Sequence, residues 1–255
     1  MSTSPQTERW LADLRTAGAF LTILPLDRGE NYQPGGLARA AWCFPLIGLL
    51  AGAVGGLVFA LAVWFGSNPW LAAVLCVAAL VLITGALHED GLGDFADALG
   101  GTSRPRRLAI MHDPQAGNFA IVALILLFAG RIGAIAAIDT PERVGLALLV
   151  AASASRGAMV VVMHLLPAAR ADGLSAGAGR PDTPITLATV AICLLIAFFA
   201  LGIGAAIAAM FGVVVVTIIL SAVAKRRFGG QTGDVLGAVQ LLAEFGCLAV
   251  VAMVY

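Results

Sequence analysis

The sequence predicts an all-α fold, a polytopic integral membrane helical bundle of about seven transmembrane helices with an N-terminal interfacial helix. Three observations lead there. Apolar residues make up 60% of the chain and charged residues only 12%, against about half and about a quarter in ordinary globular domains. Several segments carry no charge over the roughly 18–20 residues that cross about 30 Å of hydrocarbon. Residues 185–224 hold no charge at all over forty positions. As one helix they would extend about 60 Å, twice the hydrocarbon thickness, so two spans are required.

Residues 6–25 read as an amphipathic helix, with Trp10, Leu11, Leu14, Ala17 and Leu21 at helical spacing among Glu8, Arg9, Asp13 and Arg15. The apolar run from Ala17 to Leu26 is too short to cross, so this helix is expected on the membrane surface. Asp27 to Gly36 breaks the pattern with Gly, Pro and polar residues. The first span covers about 42–66 and is bracketed by Trp42 and Trp64, as interfacial aromatics commonly are. Within it Gly48, Gly52 and Gly56 lie four residues apart and would let another helix approach closely. Ser67-Asn68-Pro69 turns the chain into a second span at about 70–87. Residues 88–118 are expected to form an acidic motif and a cytoplasmic loop. Spans at about 119–138 and 143–166 follow, then a loop at 167–183 rich in Gly, Pro, Asp and Arg. The long uncharged stretch divides into 184–202 and 205–223, meeting near Gly202 to Gly204. Lys225-Arg226-Arg227 stops transfer, Gly229 to Asp234 is glycine-rich, and 235–254 is the last span. The whole chain, 1–255, reads as one membrane domain without internal repeats.

Charge sets the orientation. With the N-terminus inside, twelve Lys and Arg residues fall on cytoplasmic segments and one, Arg143, outside, while Arg131 and Arg156 lie within spans. That bias puts every polar motif on the cytoplasmic face. The net charge is zero, which argues against a nucleic-acid partner. Cys43, Cys76, Cys193 and Cys247 are far apart in apolar runs and read as small buried hydrophobes. The first thirty residues lack a signal-peptide pattern, so insertion is expected to use the first span.

The chemistry concentrates in His88-Glu89-Asp90-Gly91-Leu92-Gly93-Asp94-Phe95-Ala96-Asp97, where four of the fifteen carboxylates fall within nine residues. Read as a helix, Asp90, Asp94 and Asp97 share one face, where like charges repel. A divalent cation among Glu89, Asp90, Asp94 and Asp97 reverses that repulsion. Mg²⁺ suits hard oxygen donors and commonly adds substrate phosphate oxygens to one or two carboxylates; a solvated charged loop is the simpler reading. His112-Asp113 follows across a basic loop, Asp113 serving either a ligand or the start of the third span. Gly229 to Asp234 includes Gly230 and Gly233, whose amides could face phosphate while Asp234 meets a metal. Arg131, Arg156 and Glu244 lie inside spans, where a charge needs a cavity or a partner. Arg156 either reaches a diphosphate or pairs with Glu244. His88 and His112 are candidate general bases or hydrogen-bond donors; His164, at a helix end, reads as structural.

These residues resemble the adenosylcobinamide-GDP ribazoletransferase, or cobalamin synthase, family. The resemblance rests on Phe20-Leu-Thr-Ile-Leu-Pro25, Phe44-Pro-Leu-Ile-Gly48 and the acidic block from His88 to Gly101. It continues through Leu108 to Asp113, Ser155-Arg156, Gly229 to Ala238 and Glu244, in the family's order over nearly the whole chain. It implies an Mg²⁺-dependent enzyme of the bacterial inner membrane, active at the cytoplasmic face. That enzyme would join adenosylcobinamide-GDP to α-ribazole or its 5′-phosphate and release GMP. By the same resemblance Asp90, Asp94, Asp97 and His88 are catalytic, and Glu89, Asp90, Asp94 and Asp97 hold the metal. Arg156, Asp113, Gly230, Gly233, Asp234 and Glu244 bind substrate. Partners beyond the substrates and the lipid bilayer would be a second copy of the chain or other cobalamin-assembly enzymes. The chain departs from the family at His112-Asp-Pro-Gln-Ala-Gly117, where Lys-Asp-Ser-Arg-x-Gly is common. A CDP-alcohol phosphotransferase would need an Ala-Arg pair after the glycine and a longer run between aspartates. A cation-coupled transporter would place carboxylates mid-span, where only Glu244 lies.

Overall fold

The computed structural model describes residues 5–26, 35–170 and 177–255. The expected loop at 27–34 and the middle of the 167–183 loop lie outside them. Among the described residues there is no strand, and the chain is built from ten α-helices and a 3₁₀ turn.

Helix α1, Pro5–Leu21, buries Ala17 and Leu21. Its Asp13 carboxylate accepts from Arg39 Nε at 3.0 Å and from Trp42 Nε1 at 3.1 Å. The expected interfacial tryptophan therefore ties α1 to the bundle. Helix α2, Gly36–Ala40, and the 3₁₀ turn Ala41–Cys43 lead without a break in hydropathy into α3, Phe44–Trp64. Helix α4, Pro69–Thr84, starts under an Asn68 cap whose side chain accepts from Leu71 N at 2.9 Å. It ends on two left-handed residues, Gly85 at φ 63° and Ala86 at φ 57°.

Those two residues turn the chain by 91° into α5, Leu87–Leu99. The second span is thus shorter than expected, and the acidic motif forms a helix, the reading that put its aspartates on one face, and not the solvated loop. At 13 residues α5 is too short to cross a membrane on its own. A left-handed Ala costs about 1 kcal/mol, which the packing of α5 offsets.

Helix α6, Arg104–Ile110, is capped by Ser103 and leads to α7, Asn118–Ile138, and α8, Pro141–Leu165. Helix α8 sits at the centre, buried continuously from Val150 to Val160. Its alanines and serines admit α3 on one side and the following helices on the other. A Cβ on Gly48 would stand 2.3 Å from Ala152 O, and one on Gly52 2.5 Å from Leu148 O. The glycine ladder therefore does what its spacing predicts. Gly52→Val should lower the unfolding midpoint in detergent by an overpacking cost of about 1–3 kcal/mol. Gly133→Ala, whose added Cβ meets nothing within 4 Å, should leave that midpoint unchanged; equal effects would sink the packing account.

Helix α9, Thr183–Arg227, is one element of 45 residues broken at Gly202, where φ is 72° and ψ 169°. That positive φ suits glycine, and the chain reverses there. Leu194 and Phe198 before the break share a groove with Met210 and Val214 after it. Both ends reach the same face: Arg180 Nε donates to His164 O at 2.7 Å, and Phe228 packs on Phe95. Helix α10, Gly233–Val254, starts under a Thr232 cap and closes the bundle. Five helices are long and apolar enough to cross a membrane, or six counting the bent α4–α5 pair as one; α9 is counted once. This is a multi-pass membrane protein. All four cysteines are buried and unpaired, as expected.

Candidate active site

Two glycines bring the acidic helix against α10. A Cβ on Gly91 would lie 3.1 Å from Asp234 Cα, and one on Gly237 would lie 3.2 Å from His88 O. The close approach sets Asp90 and Asp94 beside Asp234, joining two motifs that are far apart in sequence. Leu92, Phe95 and Ala98 bury the opposite side of α5.

Asp90 and Asp94 open onto a cleft of about 630 Å³, lined also by Glu89, Met111, His112 and Asp113. The Asp94 carboxyl is pushed up to about 7 by burial first, then by the negative charge of Asp234, Asp90 and Asp97. The acid face carries more negative charge than the described side chains neutralise. Arg170 is the nearest cation, with Nη2 3.6 Å from Asp234 Oδ2, and it also hydrogen-bonds His112. Thr232 Oγ1 donates to Asp234 Oδ2 at 3.2 Å.

The four acids expected together have different surroundings. Asp97 accepts from Gly117 N at 2.6 Å and from Ala120 N at 3.0 Å, so it caps α7. That is the task assigned above to Asp113 as an alternative; Asp113 instead accepts from Gln115 N at 3.0 Å within its own exposed turn. Glu89 Oε1 accepts from Arg131 Nη1 at 3.4 Å, while among the described residues its buried Oε2 has no hydrogen-bond partner. Asp90 and Asp94 have no hydrogen-bond duty of this kind and face the cleft.

His88 is buried, and among the described residues its Nε2 has no partner. Arg156 lies deep in the bundle, donating from Nη1 to Ala152 O at 3.0 Å, with Glu244 Oε2 3.9 Å away. It lines neither the cleft nor the smaller cavity behind Asp90. Glu244 pairs more closely with Arg131, at 2.5 Å. Gly230 is held against Pro167 O, and the Gln231 amide donates to that same oxygen at 2.8 Å. Gly229 N is spent on Ala224 O. Gly233, in contrast, has open space around it. His164 is a structural residue, as expected, its Nδ1 2.9 Å from Pro181 O.

Sequence reasoning missed Arg170 as a site residue. It sits in the loop after α8, and no spacing relates it to His112 or Asp234.

A family model described as cobalamin-5-phosphate synthase matches residues 13–252. The chain belongs to the cobalamin-5-phosphate synthase family. Three relatives bear the name adenosylcobinamide-GDP ribazoletransferase. The one from Bradyrhizobium diazoefficiens is 44% identical, covering 95% of this chain and 94% of its own. Those from Mesorhizobium japonicum and Sinorhizobium medicae are each 41% identical, covering 95% and 94% of this chain and 93% and 96% of their own. No solved structure matches this chain. As a cobalamin-5-phosphate synthase family member it is an enzyme, a transferase of cobalamin biosynthesis. The matched stretch runs from Asp13, which anchors α1, to beyond the whole of the cleft.

Among the described residues, no three His, Cys, Asp or Glu side chains form a ready-made metal cage. The donor set still fits Mg²⁺, which usually takes one or two protein carboxylates and completes its shell with water and substrate phosphate. Asp90, Asp94 and Asp234 are hard oxygen donors, crowded enough to raise the Asp94 carboxyl.

Proposed function

We propose that this chain joins adenosylcobinamide-GDP to α-ribazole or its 5′-phosphate and releases GMP, with Mg²⁺, at the cytoplasmic face of a bacterial inner membrane. The observation that carries this reading is the meeting of Asp90 and Asp94, which line the cleft on α5, with Asp234 packed beside them on α10. The names of the relatives supply the substrates. The excess of Lys and Arg on the cleft face supports the orientation, and the stacking of Arg143 over Tyr255 supports a C-terminus at the opposite face.

In the transfer, the ribose 3′-hydroxyl oxygen forms a bond to the phosphorus attached to cobinamide. The phosphorus–oxygen bond to GMP breaks, its electron pair leaves with GMP, and the hydroxyl proton passes to a carboxylate of the cleft. Asp90, Asp94 and Asp234 would hold Mg²⁺, whose chemistry is to offset the charge on the diphosphate and the departing GMP. Arg170 stands between Asp234 and His112 with guanidinium donors suited to phosphate oxygens. It brings an arginine to the loop where the family commonly carries one in sequence. Asp97 fixes α7 to α5, which keeps the far wall of the cleft in place.

The detergent-purified protein, given both substrates, should release GMP with Mg²⁺ present and none measurable once the ion is chelated. GMP formation that persists after chelation would remove the metal from the reading. No GMP with both substrates and Mg²⁺ present would remove the reaction.

A further inference from the structure

Asp90 borders two spaces. On one side is the cleft; on the other is a separate cavity of about 120 Å³, walled by Phe20, Phe44, Met159 and Met163 together with His88. Among the described residues its only polar side chains are His88, Asp90 and Asp234. Phe20 and Phe44 stack with ring centroids 6.3 Å apart. His88 is 2% exposed, and among the described residues its Nε2 has no hydrogen-bond partner. A buried ring nitrogen left unsatisfied is costly, and His88 is itself part of the cavity wall, so the orphan points to a ligand.

The cavity's size and chemistry narrow that ligand. Drug-sized ligands occupy about 300 Å³ or more, so this space takes one flat ring system and neither a nucleotide nor a corrinoid. Aromatic rings and thioethers suit an apolar aromatic face. Guanine, the other base in the reaction, would bury an amine and a carbonyl here with one imidazole to answer them. A benzimidazole buries a hydrocarbon edge and a single bare ring nitrogen.

We propose that this cavity receives the base of the ribazole substrate, its bare ring nitrogen accepting a hydrogen bond from His88 Nε2–H, so that the ribose emerges beside Asp90. The inference rests on the reaction proposed above and deepens it. His88 is then a specificity and positioning residue for the nucleophile. The cavity separates the two bases by polarity, and Asp90, shared by both spaces, marks where the ribose hydroxyl meets the diphosphate.

Equilibrium binding to the detergent-purified full chain tests this without turnover. The intrinsic fluorescence of α-ribazole is followed against its indole isostere, which lacks the bare ring nitrogen. The wild type should prefer α-ribazole by about tenfold, the value of one buried hydrogen bond. His88→Phe should erase that preference while binding adenosylcobinamide-GDP within about twofold of wild type, a control for folding. Met163→Trp, which fills the cavity, should abolish α-ribazole binding and spare adenosylcobinamide-GDP. A preference that survives His88→Phe, or α-ribazole binding that survives Met163→Trp, overturns the assignment. So does a wild type that does not bind α-ribazole. Should either variant fail to fold, the other decides. Ribazole binding with the expected preference but no GMP release would sink the transfer reading and leave the cavity assigned.

Discussion

Asp94→Asn is expected to cut GMP release at least about 100-fold, with the protein still inserted and with an unchanged elution profile. The side chain is half-buried between Asp90 and Asp234, and its carboxyl is pushed up to about 7 by burial first and then by the negative charges of Asp234, Asp90 and Asp97. A group whose own neighbours repel its charge contributes little to folding, so replacing it by a neutral isostere should not destabilise the fold. It should remove a donor and a charge where a diphosphate must be neutralised; losing one such electrostatic partner costs about 100- to 1,000-fold in turnover. Asp113→Asn is the comparison. That carboxylate also lines the cleft, but it is exposed and bonded within its own turn to Gln115 N, so the loss should be no more than a few-fold. Equal effects of the two substitutions, measured as GMP released per purified protein, would remove the special standing of the α5–α10 junction.

Much of this arrangement is legible in the sequence because it is periodic. The three glycines of α3 recur on one face, and the helix they admit is α8, as close packing of small residues requires. Asp90 and Asp94 recur on one face of α5, and that face is the one left open. Reversal at Gly202 follows from length, since no membrane accommodates a straight uncharged helix of that extent. What the sequence did not disclose is non-local. The right-angle turn at Gly85 and Ala86 sets α5 against the glycine-lined flank of α10, a packing that helical spacing alone does not reveal. Asp97 looks identical to Asp90 and Asp94 in spacing, yet the start of α7 folds back over it and takes its oxygens. For Arg156 the sequence left two readings open, a diphosphate contact or a pair with Glu244, and only the fold sets it beside Glu244, 3.9 Å away. Arg170 had no signature, because a loop arginine acquires its meaning only from what the loop touches.

Arg131→Gln should cost about 3–5 kcal/mol, on the order of 10 °C in unfolding midpoint, through the carboxylate it strands. Arg131 is 1% exposed, with Nη2 2.5 Å from Glu244 Oε1 and Nη1 3.4 Å from Glu89 Oε1. Glu244 is held further by Gln240 Nε2 at 2.7 Å, and that amide also reaches Ser155 Oγ at 3.1 Å. These contacts join α5, α7, α8 and α10 at one level of the bundle, two cations against two carboxylates. Glu89 lies on the cleft wall and can meet water once Arg131 is gone. Glu244 cannot, and Arg156, 3.9 Å away and committed to Ala152 O, is poorly placed to replace the lost partner. The penalty therefore belongs to a stranded charge and not to the loss of an intrinsically strong bond. Arg131→Leu combined with Glu244→Leu should then recover at least half of the lost midpoint, since removing both charges spares their desolvation. A single variant as stable as wild type would show that the network does not hold the bundle. Recovery of midpoint without recovery of GMP release would separate its two roles. Folding asks only that no charge be stranded, whereas the proposed transfer asks that α5 keep Asp90 and Asp94 beside Asp234.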